Sequence, residues 1–142
     1  MNDRGHAAVE LALAVGVLML PVALAVTAFG PWVERRVLAE SAAAEAARVA
    51  VLELDQGPGV AAVRTATASH GLPDELVRLG WCGASPGPVT APAGSCHFGR
   101  GATVLAMVEV WVPLVLTPWG EVGGLWVTAS HAEPVDLFRS LP

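Results

Sequence analysis

The side chains in this sequence that are able to do chemistry are few and widely spaced. Glu10 stands at the threshold of a long apolar run, in the stretch RGHAAVELALAV covering residues 4–15. A carboxylate at the centre of a bilayer helix costs about 2.5–3.5 kcal/mol on insertion scales, and less near the edge, so such a residue asks for a partner. Cys82 and Cys96 bracket a Gly/Pro/Ser-rich loop, and His97 follows the second of them. In an oxidising compartment the two cysteines would form one disulfide, and closing a loop of about 15 residues is worth roughly 3 kcal/mol in the chain-entropy model. A metal site would draw on the same cysteines and His97, but a fourth ligand and any CxxC or HxxxH spacing are missing, which favours the disulfide over a metal.

The remaining histidines, His6, His70 and His131, are scattered. Ser69 with His70 and Ser130 with His131 are adjacent in sequence, a spacing expected to turn their side chains apart. Glu109, between Val108 and Val110, has the place of a solvent-facing residue on an alternating strand. No GxSxG, HExxH, Walker or GxGxxG pattern occurs, so neither catalytic residues nor a cofactor is expected.

The elements that must position these residues follow from the distribution of apolar residues. Of 142 residues 54% are hydrophobic and the mean hydropathy is +0.55, high for a soluble domain. The excess is concentrated: from Leu11 to Val33, 23 positions, no Asp, Glu, Lys, Arg or His occurs. As a helix that run would reach roughly 35 Å, enough to cross a hydrocarbon layer of about 30 Å. It is expected to be a transmembrane helix, with Pro21 loosening it locally and Trp32 suited to the headgroup layer. Residues 34–142 carry seven arginines, no lysine and eleven acids, and this acidic balance excludes a nucleic-acid partner.

After the apolar run the sequence continues as VERRVLAESAAAEAARVAVLEL (33–54), a strong helix former with Ala39, Ala43 and Ala47 in one row at spacing four and Ala42, Ala46 and Ala50 in another. Such rows allow close helix approach, or simply reflect alanine's helix propensity. DQGPG (55–59) predicts a stop, and residues 60–71 a second, short helix ending at Gly71. ELVRLGWC, ATVLAMVEVWVPL (102–114) and GGLWVTASHAE (123–133) read as strands, with a loose hairpin connection around Pro113, Pro118 and Gly120 and antiparallel pairing. The fold class is therefore α+β: a long N-terminal helix, one half in lipid and the other packed on a small antiparallel sheet, with the cysteine loop hanging from one edge.

RGHAAVELALAVGVLMLPVALAVTAFG closely resembles the N-terminus of the TadE-like pseudopilins of the tight-adherence (Flp) type IV pilus system: RG, small residues, VE, then an apolar run containing a Pro. AESAAAEAARVA resembles the alanine-rich helix that follows in that family, and VTASHAEPVDLFR (127–139) its actinobacterial C-terminal tail; the middle of the chain carries no resemblance. Major Flp pilins place Tyr after the Glu and consist of little more than the helix. This chain has Leu11, no tyrosine, and 109 further residues, so the resemblance points to a minor pseudopilin with a pilin-like fold.

The resemblance implies a leader at 1–5, a transmembrane helix at 6–33 and an extracytoplasmic domain at 34–142. A prepilin peptidase would cut between Gly5 and His6, leaving an ammonium on His6. Glu10 would neutralise the N-terminal ammonium of a neighbouring subunit, and Ala8, Ala12 and Gly16 would give neighbouring helices a smooth packing face. The partners implied are the peptidase, other pseudopilins, the Flp pilin, the Tad membrane assembly machinery and the lipid bilayer. Trp111, Trp119 and Trp126 read either as core or as a patch for binding another pseudopilin, with core favoured for Trp111 and Trp126. Arg4 on one side of the run and Arg35 with Arg36 on the other leave the positive-inside rule undecided; the cysteine pair and the resemblance place the domain outside the cytoplasm.

Two alternatives remain on the sequence alone. VTA (26–28) fits a signal-peptidase site, although the run is longer than the usual apolar core of about 7–15 residues and begins at a glutamate. A single-pass anchored domain that binds an envelope partner and never enters a filament is the other.

Overall fold

The computed structural model describes residues 4–117 and 119–138, with the side chains of all of these except 4–8, 24, 27, 28, 115–117 and 121. Its first element is helix α1, Arg4–Glu53, 50 residues that run through both Pro21 and Pro31. Helix α2 covers Gln56–Ser69, and a single 3-10 turn, Asp74–Leu76, leads into the sheet. The strands are β1 (Val77–Trp81), β2 (Gly87–Pro88), β3 (Thr103–Thr117) and β4 (Gly120–Pro134), in the order β2-β1-β3-β4 with every neighbour antiparallel. The α+β class and the antiparallel sheet expected from the strand patterns are the observed ones.

Among the described residues no helix is long and apolar enough to cross a membrane. The expectation of a membrane helix rests on the composition of the run Leu11–Val33.

The core lies between the C-terminal half of α1, α2 and one face of the sheet. Ala39, Ala43 and Ala47, and likewise Ala42, Ala46 and Ala50, are all 0–1% exposed and belong to one cluster with Val63, Leu79, Trp81, Val104, Val108 and Val110. Both alanine rows therefore serve close packing: side chains of one carbon let α2 and the sheet approach the helix backbone. Gly59 of α2 marks the tightest point. A Cβ there would lie 2.8 Å from the Ala46 carbonyl oxygen and 2.8 Å from the Trp81 ring. Trp81 is the core tryptophan, and its indole N–H has no partner among the described residues, so packing alone holds the ring.

The turn between the helices differs from the expected one. α1 ends because Leu54 takes a left-handed conformation, φ 55°, and the Asp55 N–H donates to the Ala50 carbonyl at 3.2 Å. This is the Schellman arrangement with leucine where glycine is usual; burial of Leu54 against the core offsets the backbone strain. Asp55 then caps α2, its carboxylate accepting from the Gly57 N–H at 3.2 Å. Gly57, Pro58 and Gly59 fall in the first turns of α2, where a proline needs no hydrogen-bond acceptor. The sequence DQGPG was expected only to stop a helix; it also starts one.

The hairpin is longer and tighter than expected. β3 and β4 keep one register from Thr103↔Pro134 to Thr117↔Gly120, leaving two residues, 118 and 119, as the connection. Pro113, expected near the end of the strand and counted with its connection, lies well inside β3. It sits past the last β1 pairing, Val77↔Val110, where β3 is paired on one side only and a missing N–H is tolerated. Pro118, expected in the connection, lies outside the described residues.

Candidate functional site

The start of α1 brings together the residues of the leader and assembly reading. Gly5, His6 and Ala8 have helical backbone; their side chains lie outside the described ones. Glu10, Ala12 and Gly16 are exposed, and a Cβ added at Gly16 would meet nothing within 4 Å. Around them Val9, Leu11, Leu13 and Val17 are exposed as well. Among the described residues, this half of α1 is an apolar surface that the rest of the chain does not cover.

Cys82 and Cys96 are joined in a disulfide, with their Cα atoms 5.4 Å apart. The loop lies at one edge of the sheet, as expected, and is bonded to β1 there. The Trp81 N–H donates to the Ala93 carbonyl at 2.9 Å and the Ala93 N–H to the Leu79 carbonyl at 3.3 Å, so the loop returns alongside β1. With both sulfurs bonded to each other, His97 has no thiolate beside it to share a metal. No group of three or more His, Cys, Asp or Glu among the described residues is placed to hold a metal ion.

Ser69 and His70 do touch, against the expectation from adjacency: Ser69 Oγ lies 3.2 Å from His70 Nδ1. Both groups close the end of α2, Ser69 Oγ donating to the Ala66 carbonyl at 2.7 Å and His70 Nδ1 lying 3.0 Å from the same oxygen. The helix ends between them, so the side chains converge instead of fanning out. This is a cap on an exposed surface, with no third group to orient a base. Ser130 and His131, consecutive on β4, do face opposite sides of the sheet; His131 Nε2 lies 3.3 Å from Glu133 Oε2.

The sheet's other face carries the cluster that the sequence reading missed. Val104, Val108, Val110 and Val112 point to the helices, so Glu109 and Trp111 share the opposite face. Arg78 of β1 stands over the Trp126 ring, 4.0 Å from its centroid, and 3.8 Å from Glu109 Oε2; Thr128 Oγ1 donates to Glu109 Oε1 at 3.1 Å. Trp111 meets Trp126 edge-on at 5.3 Å and lies so close over Gly124 that a Cβ there would strike its indole. Trp111 and Trp126 are thus half-buried surface residues, not core as expected. The signal was present: once Glu109 is assigned to solvent, period two carries Trp111 to the same side. Glu109 itself is less exposed than expected, its side chain 19% accessible beneath Arg78.

On α1, Arg48 Nη2 lies 3.1 Å from Glu45 Oε1. That hydrogen bond holds the Glu45 carboxyl below, and the Arg48 guanidinium above, their ordinary ranges, and the charge of Glu133 adds to the second effect. Comparison with protein-family models, with curated proteins and with solved structures finds no match to this chain.

Proposed function

We propose that this protein is a membrane-anchored minor pseudopilin of the TadE-like kind, without catalysis of its own, that takes part in assembling or initiating a Flp-type pilus. The observation that carries the reading is Glu10 in the stretch RGHAAVELALAV, five residues after Gly5, on an apolar helix whose surface the chain leaves bare. Cutting after Gly5 frees an ammonium on His6. In a bundle of such helices the medium between them is of low dielectric, where an unpaired carboxylate is penalised and a carboxylate–ammonium pair much less so. The cost of Glu10 in the lone subunit becomes a preference for assembly. Ala12 and Gly16, exposed and small, support close approach of neighbouring helices.

The domain beyond residue 33 supports the same reading in a coarser way, since α1 continues into a core built on an antiparallel sheet, an arrangement compatible with a pilin-like subunit. Mass spectrometry of the protein made together with a prepilin peptidase tests the processing step. A mature chain starting at His6 is expected; a chain that keeps Met1 and still supports fibres removes the proposal. Glu10→Gln, expected to be processed normally yet to fail in assembly, tests the charge pairing separately. A released chain beginning at Phe29, cut after Ala28, would favour the secreted alternative.

A further inference from the structure

The far end of the β3–β4 hairpin continues the bare apolar surface of α1. β3 and α1 run side by side in opposite directions: the middle of β3 packs on residues 38–51, whereas Val112, Pro113 and Leu114 lie beside Phe29 and Trp32. Leu125 of β4 completes an open groove of about 380 Å³ at this junction, lined by these six side chains and by no charged residue among the described ones. Beyond it the hairpin extends three more residues to Thr117, about 10 Å at the usual strand rise, in the direction of the N-terminus of α1.

This end is also poor in charge. Between Glu109 and Thr128 the only ionisable residue is Glu121. Leu114, Val122 and Leu125 are exposed, and Trp119 in the connection is 93% exposed. Nothing in the core requires these residues to be apolar.

The geometry points to a second membrane contact: the hairpin end, with Trp119 at its tip, rests in the interfacial layer of the leaflet next to the α+β domain, where headgroups and the first acyl carbons fill the groove against Phe29 and Trp32. The inference rests on the reading of Leu11–Val33 as a membrane helix, because the groove opens at the upper end of that run and whatever surrounds the helix there surrounds the hairpin. The contact is shallow. Open strand edges do not stand in hydrocarbon, where their unpaired N–H and C=O groups would go unsatisfied, whereas the headgroup layer hydrates them and suits an indole.

The test uses the full chain reconstituted in phosphatidylcholine vesicles whose acyl chains carry bromine either near the carbonyl end or near the methyl end. Tryptophan emission is compared between the native chain, Trp119→Phe and Trp32→Phe. Trp119→Phe, an exposed turn position that leaves the core untouched, is expected to remove part of the quenching by the shallow bromines. If that quenching is the same in Trp119→Phe as in the native chain, while Trp32→Phe loses some, the hairpin contact is overturned and the membrane helix stands; a protein covering the hairpin is then the better occupant. Quenching of Trp119 that is stronger from the deep bromines overturns the shallow placement. A chain that neither floats with the vesicles nor is quenched overturns the membrane helix and the hairpin contact together.

Discussion

The two halves of α1 carry the same small-residue signature and meet opposite fates. Ala8, Ala12 and Gly16 repeat at spacing four, as do Ala39, Ala43 and Ala47. The second row is sealed by α2 and the sheet, whereas Ala12 and Gly16 are exposed, with nothing against them among the described residues. Spacing of small residues thus says that something can come close; it does not say what. In the C-terminal half the close neighbour is the chain's own domain; in the N-terminal half no close neighbour occurs among the described residues, and the proposed one is another subunit.

Paired substitutions break or sharpen that contrast. Ala46→Leu forces three carbons against α2 at its tightest contact and should destabilise the domain by about 3 kcal/mol, the upper end for overpacking. Ala12→Leu should leave its stability unchanged; equal effects in denaturant titrations of the full chain in detergent, followed by near-ultraviolet dichroism, would erase the distinction. Replacing Cys82 and Cys96 by Ala should cost about 2–3 kcal/mol by releasing the loop that returns along β1, with the helix content of α1 preserved in far-ultraviolet dichroism. Gly59→Ala should cost about 1–2 kcal/mol, since a methyl group must displace either the Ala46 carbonyl or Trp81. Asp55→Ala, which removes the α2 cap, should cost about 1 kcal/mol by the same titration.

The smallest effect concerns pH. Because the Glu45 carboxyl is held below its ordinary range by Arg48, the pair's contribution is present above that range and is lost as pH falls through the lowered value. Both side chains are about half exposed, so the loss is screened by water; Glu45→Gln and the native chain should differ little in their acid stability profiles.

Much of the packed half was legible in advance. A run of alanines gives a helix on propensity alone, and β-branched alternation in ATVLAMVEVWVPL gives a strand with one valine face. What was misread turned on local competition: the strand was expected to end around Pro113 because the end of β1, which frees one side of β3, is not visible in the sequence of β3. The α2 start was missed because Gly and Pro signal the end of one helix and the first turn of the next alike. Trp111 and Trp126 were assigned to the core by size, although the register of Glu109 already put Trp111 on the outer face. At the N-terminus Glu10 and its spacing from Gly5 were plain in the sequence, and the fold adds only that Glu10 is exposed among the described residues.

By itself the sequence determined the elements, because helix propensity, period-two alternation and a charge-free run are properties of neighbours along the chain. It also determined the separation of Cys82 from Cys96, which allows a bond between them. Tertiary structure alone decided which alanine row is sealed, that Gly59 must be glycine, and that Arg78 and Trp126 join Glu109 and Trp111 on one face. Those outcomes depend on groups far apart in sequence meeting at van der Waals distance, a condition fixed only when the strands and helices have packed.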